Sequence, residues 1–132
     1  MSVVVGFVPT PEGDAALGSA ISEARRREVP LIVVISERGH RFGADPVELQ
    51  ASADDVRGQL DETGLRYEIR QTTRGRDVAE DIVDAATAHD GQLIVIGLRR
   101  RSPLGKLLLG SNAQRILLDA PCPVLAVKPD PD

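Results

Sequence analysis

Four short aliphatic runs punctuate the chain: Val3-Val4-Val5-Gly6-Phe7-Val8, Leu31-Ile32-Val33-Val34-Ile35, Leu93-Ile94-Val95-Ile96 and Val124-Leu125-Ala126-Val127. Runs this short and this rich in β-branched residues suit strands covered on both faces. A fifth segment, Leu65-Arg66-Tyr67-Glu68-Ile69-Arg70, alternates apolar with polar and reads as a strand with one face in water, at an edge of the sheet. Between the strands the period becomes helical. One apolar stripe falls on Leu17, Ala20, Ile21 and Ala24, and a second on Leu49, Ala53, Val56 and Leu60. A third follows on Val78, Ile82, Val83 and Ala86, and a fourth on Ala113, Ile116 and Leu117. Strict alternation of strand and helix predicts an α/β fold, a doubly wound parallel sheet of five strands with right-handed crossovers and helices on both faces. Thr10-Pro11 and Asp45-Pro46 each place a capping residue before a first-turn proline, and Gly64 and Gly91 fall where left-handed helix ends are expected.

With 132 residues the chain is long enough for one domain, 1–132, to bury a core without metals or disulfides. Phe7, Phe42 and Tyr67 are its only aromatics, so the core is aliphatic and a base-stacking nucleic-acid platform is disfavoured. A net charge of −4 likewise argues against attraction to a phosphate backbone. Cys122, the single cysteine, lies between Pro121 and Pro123 and reads as a small hydrophobe. Neither His40 nor His89 has partners at metal-ligand spacing, so no metal site is expected. The start of the chain lacks a basic leader and no apolar run reaches membrane-span length, which leads to the expectation of a soluble cytoplasmic protein with neither membrane nor nucleic-acid partner.

A doubly wound sheet binds ligands at the carboxyl ends of its strands, where the winding direction reverses. The loops after the first and fourth strands, Val8 to Thr10 and Gly97 to Ser111, are therefore the candidates, and Ser36 to Ala44 lies at the same end, placed to close over a ligand. Gly97 is expected to let the backbone leave a buried strand through angles a side chain forbids. Gly110-Ser111 brings bare amides and a hydroxyl to a helix start, where anions are stabilised. No acidic residue occurs between Asp90 and Asp119, an interval that holds Arg99, Arg100, Arg101, Lys106 and Arg115. Each of these residues also has a structural reading: Gly97 ends a strand, Gly110 eases a turn, Ser111 caps a helix, and a charge run is a solvated face.

The spacing of Gly97, Arg100, Gly110 and Ser111, with the proline-flanked final strand Pro121 to Val127, resembles the universal stress protein family over the whole chain. That resemblance implies strand order 3-2-1-4-5, dimerisation through the last strand and, in one subfamily, ATP binding. It implies contacts to adenosine from the residues after the first strand and to phosphates from the glycines and the Gly-Ser pair. Here Gly97, Gly110 and Ser111 match, while the middle glycine is Arg100 and the acidic residue, glycine and serine after the first strand are Val8-Pro9-Thr10. Arg100 either blocks close backbone approach or clamps a phosphate bidentately. Backbone carbonyls at Val8 and Pro9, with apolar contacts from Val34 and Ile96, remain able to hold an adenine, and Asn112 joins Ser111 at the helix start.

Two functions compete on this basis: a regulatory stress-response protein binding an adenine nucleotide, ATP with Mg²⁺, as a homodimer through Val124, Leu125 and Val127; or a dimeric interaction module that has lost the nucleotide. An enzyme is disfavoured. The phosphate loop carries no metal-holding carboxylate and is not a Walker loop, so at most slow ATP hydrolysis is expected, with Asp14 or Glu37 able to supply a carboxylate through folding.

Overall fold

The computed structural model describes residues 1–35, 46–71, 77–98 and 110–129. Along the chain run β1 (Ser2–Phe7), α1 (Pro11–Arg27), β2 (Leu31–Ile35), α2 (Pro46–Asp61), β3 (Tyr67–Gln71), α3 (Val78–Ala88), β4 (Gly91–Gly97), α4 (Ser111–Asp119) and β5 (Val124–Val127). The strands form one parallel sheet in the order β3-β2-β1-β4-β5. Winding runs outward from β1 in one direction through α1 and α2, then returns through α3 to β4 and outward again through α4. The reversal therefore falls between β1 and β4.

Period-two alternation sorts the aliphatic residues into two layers. Val3, Val5 and Phe7 pack with Val33 and Val95 against Ala16, Leu17, Ala20, Ala53, Val56 and Leu60 of α1 and α2. Val4, Ile32, Val34, Ile94 and Ile96 face Ala79, Ile82, Ala85, Ala86 and Ile116 of α3 and α4. The three central strands are buried on both faces, as their unbroken runs require. β3 is the edge strand its alternation called for, and begins at Tyr67, two residues later than the apolar pattern does.

Capping follows the sequence at some ends only. Thr10 is the N-cap of α1 in extended conformation, its Oγ1 accepting from the Gly13 amide at 3.2 Å, with Pro11 in the first turn. Gly64 adopts φ +77°, as expected. Gly91 does not take the left-handed position after α3. Asp90 does, at φ 51°, while at Gly91 a Cβ would meet Ala86 and Val4 at a tight 3.2 Å. Among the described residues no helix is long and apolar enough to cross a membrane.

Candidate functional site

The chain leaves β1 through Val8-Pro9-Thr10 in a tight reversal: the Thr10 amide donates to the Val8 carbonyl at 2.8 Å, and the Asp14 amide to the Thr10 carbonyl at 2.9 Å. α1 thus begins directly over the end of its own strand. A Cβ on Gly13 would stand 1.7 Å from the Val8 oxygen, so only glycine permits this approach. Gly97, closing β4, presses against the same helix turn, where a Cβ would lie 2.3 Å from the Glu12 carbonyl oxygen. Its backbone needs no forbidden angle, since Gly64 is the one described glycine with positive φ. The expectation for Gly97 is corrected accordingly: what the position requires is space.

Beside this junction a cleft of about 570 Å³, counted with its open mouth, lies over the carboxyl ends of β1 and β4. Gly6 and Phe7 line it from β1, Val34 from β2, and Ile96 and Gly97 from β4. Val78 and Ile82 of α3 bound it on one side, while Asn112, Ala113 and Ile116 of α4 bound it on another. Val8, Glu12 and Gly13 complete the lining. At Gly6 the missing side chain makes room for Ile82, whose Cδ1 would come within 2.6 Å of a Cβ there. The walls are thus mostly aliphatic, with the start of α4 opening onto them.

Gly110 is the N-cap of α4, extended and with no side-chain cap bond, so Ser111 is the first helical residue rather than the cap. The Gln114 amide reaches the Gly110 carbonyl at 3.0 Å, and the amides of Ser111, Asn112 and Ala113 have no partner within the helix by its geometry. α4 carries no acidic residue in its first turn, which leaves the positive end of its dipole uncompensated from within the helix. Such an end stabilises anions.

The residues singled out from sequence divide in three. Val8, Val34, Ile96, Gly97 and Asn112 line the cleft. Pro9 is exposed and outside the lining, Thr10 spends its hydroxyl oxygen capping α1, and Gly110 and Ser111 flank the cleft at the helix start. Arg99, Arg100, Arg101 and Lys106 lie outside the described residues, as do Glu37 and the segment from Ser36 to Ala44. Arg115 does not strengthen the loop's charge in the way its place in the basic interval suggested. Its guanidinium bonds Asp77 at 2.6 Å and lies 3.7 Å from Glu80, tying α4 to α3, and the bond to Asp77 raises its pKa further.

Sequence reasoning missed Gly6, Phe7, Glu12, Gly13, Val78 and Ile82 as cleft residues, and Ala113 and Ile116 with them. Gly13 and Gly6 had a signal: one stands three residues past an N-cap, the other interrupts a β-branched run. Val78, Ile82 and Ile116 had none, because a stripe that closes a core and one that closes a pocket look alike in sequence. Glu12 brings an acidic residue to the lining, where Val8-Pro9-Thr10 has none.

The fold is thus a doubly wound α/β sheet with an aliphatic cleft at its winding reversal, walled on one side by an open helix start. The chain belongs to the universal stress protein family, whose model matches residues 1–128. A universal stress protein of Mycolicibacterium smegmatis is 43% identical over 127 residues, covering 96% of this chain and 97% of that one. The structure of a universal stress protein from Archaeoglobus fulgidus superposes with a TM-score of 0.79 at 35% identity, covering 97% and 98% of the two chains. One from the same organism in complex with dAMP superposes at 0.75, with 31% identity and the same coverage.

Proposed function

We propose that the protein is a stress-response regulator that binds an adenine nucleotide, ATP with Mg²⁺, in this cleft as a homodimer. The observation that carries the reading is the juxtaposition of an aliphatic slot, Val34, Ile82 and Ile96, with the uncapped start of α4. The slot suits a purine, and the amides of Ser111 and Asn112 suit its phosphates. Support comes from the Archaeoglobus fulgidus relative in complex with dAMP, which carries the same base and a phosphate. Glu12 supplies a carboxylate acceptor for the sugar hydroxyls, in place of the family's acidic residue after the first strand. Arg99, Arg100 and Arg101 add the charge that favours a triphosphate over a monophosphate. Pairing of two copies covers the outer edge of β5, beside which Leu117, Leu118 and Leu125 are exposed.

Thermal denaturation with and without ATP and Mg²⁺ tests the nucleotide reading. Ligand at a hundred times its Kd adds about 2.7 kcal/mol to stability. The parent should show the corresponding rise in Tm, and Gly110→Val should remain folded and show none. A parent protein indifferent to millimolar ATP and AMP favours the second reading, a dimeric interaction module. That alternative draws on Val8-Pro9-Thr10, where the acidic residue is lost and the surviving hydroxyl caps α1.

A further inference from the structure

Arg70 lies near the carboxyl end of β3 as the Cα partner of Val34 on β2. Partners in register share a face of the sheet, so its side chain projects into the layer of α3 and α4, next to the cleft wall that Val34 forms. Tyr67 and Ile69 pack into the opposite layer, as period two demands. The Nη1 of Arg70 is buried and has no hydrogen-bond partner among the described residues. Glu68, the preceding residue on that face, is by contrast matched with His89 at 2.9 Å. A guanidinium offers five donors and no acceptor, and folds seldom leave one of its nitrogens both dry and unpaired.

A nucleotide whose phosphates sit at the start of α4 runs across β4 and β1, so its base is the end that arrives at Val34, with β3 the next strand beyond. We propose, on the basis of the nucleotide reading above, that Arg70 is a specificity-determining residue that donates to an acceptor atom on the edge of the bound purine. Because the guanidinium only donates, it favours a ring nitrogen or carbonyl facing β3 and disfavours an exocyclic amine there.

Arg70→Met keeps the aliphatic stem and removes the donors. Binding of ATP, AMP and adenosine to parent and variant, measured by calorimetry, should weaken by one common factor, about ten- to a hundredfold, because the lost contact is at the base. Without ligand the variant's Tm should equal or exceed the parent's, since an unpaired buried donor has gone. The unmutated protein gives a second test with ATP analogues in which N1, N3 or N7 is replaced by carbon. One analogue should lose affinity about as much as the variant does, and the others should not. Undiminished ATP binding by Arg70→Met, a loss that grows with phosphate number, equal binding of all three analogues, or a lower Tm of the ligand-free variant would each overturn the role of Arg70 while leaving the nucleotide reading in place. A parent that binds none of ATP, AMP and adenosine overturns both.

Discussion

Replacing Gly97 by alanine should cost the fold stability, and the same replacement at Gly18 should add to it. At Gly97 the new Cβ would stand 2.3 Å from the Glu12 carbonyl oxygen and 2.8 Å from its carbonyl carbon. Both are backbone atoms, held in place by the first turn of α1, so no rotamer change relieves the contact. The helix start must retreat by about 0.7 Å or more to reach a separation that real Cβ atoms show, an overpacking that costs about 1–3 kcal/mol. Alanine recovers roughly 0.5–1 kcal/mol of backbone entropy, so from the middle of that range a net loss of about 1–1.5 kcal/mol remains. For a chain of this size that lowers Tm by about 3–10 °C. Gly18 is exposed within α1 and a Cβ there meets nothing within 4 Å, so Gly18→Ala should raise stability by roughly 0.5–1 kcal/mol. Urea denaturation of the parent and both variants checks the pair. Equal effects at the two sites, or a change below about 0.5 kcal/mol at Gly97, would refute the close approach of β4 to α1.

Tyr67 donates to Asp61 at 2.5 Å, and that bond, followed by partial burial and the carboxylate's charge, raises the phenol above its usual pKa of 10.0. The contribution to stability is therefore complete below the unfolded value and is lost as pH rises through the folded one. Because the chain has one tyrosine and no tryptophan, phenolate absorbance reports this residue alone; its midpoint should exceed 10 and fall back toward it in Asp61→Asn. Catalysis should be slight. Glu12 is the acidic residue of the cleft lining, and the described residues contain no group of three His, Cys, Asp or Glu able to hold a metal. Steady-state ATP turnover near the enzyme median of about 10 per second, abolished by Glu12→Gln, would replace the binding reading with an enzymatic one. Finally, Leu125→Glu should convert a dimer into a monomer in sedimentation at roughly ten micromolar, and a parent already monomeric there rejects pairing through β5.

Periodicity by itself determined the fold class of this protein. Unbroken β-branched runs fixed β1, β2 and β4 as strands covered on both sides, the alternation around Tyr67 and Ile69 marked an edge, and strict strand-helix order left a parallel doubly wound sheet as the solution. These signals are local, since they depend only on which faces of a segment are apolar. Strand order came from the family resemblance, and the sheet has that order. The cleft's position was equally legible, because a winding reversal follows from topology. What only the tertiary structure decided are distances between residues remote in sequence. Gly97 is glycine because Glu12 lies against it, 85 positions away along the chain, and no pattern around Gly97 carries that fact. Arg115 looked like part of a basic loop until α3 brought Asp77 within 2.6 Å of it. Val78 and Ile82 became cleft walls because α3 crosses the sheet above Gly6, and Arg70 lost its solvent on one nitrogen because β3 pairs in register with β2. Composition dictates that such groups must be packed or paired somewhere, but the partner is chosen only when the layers close.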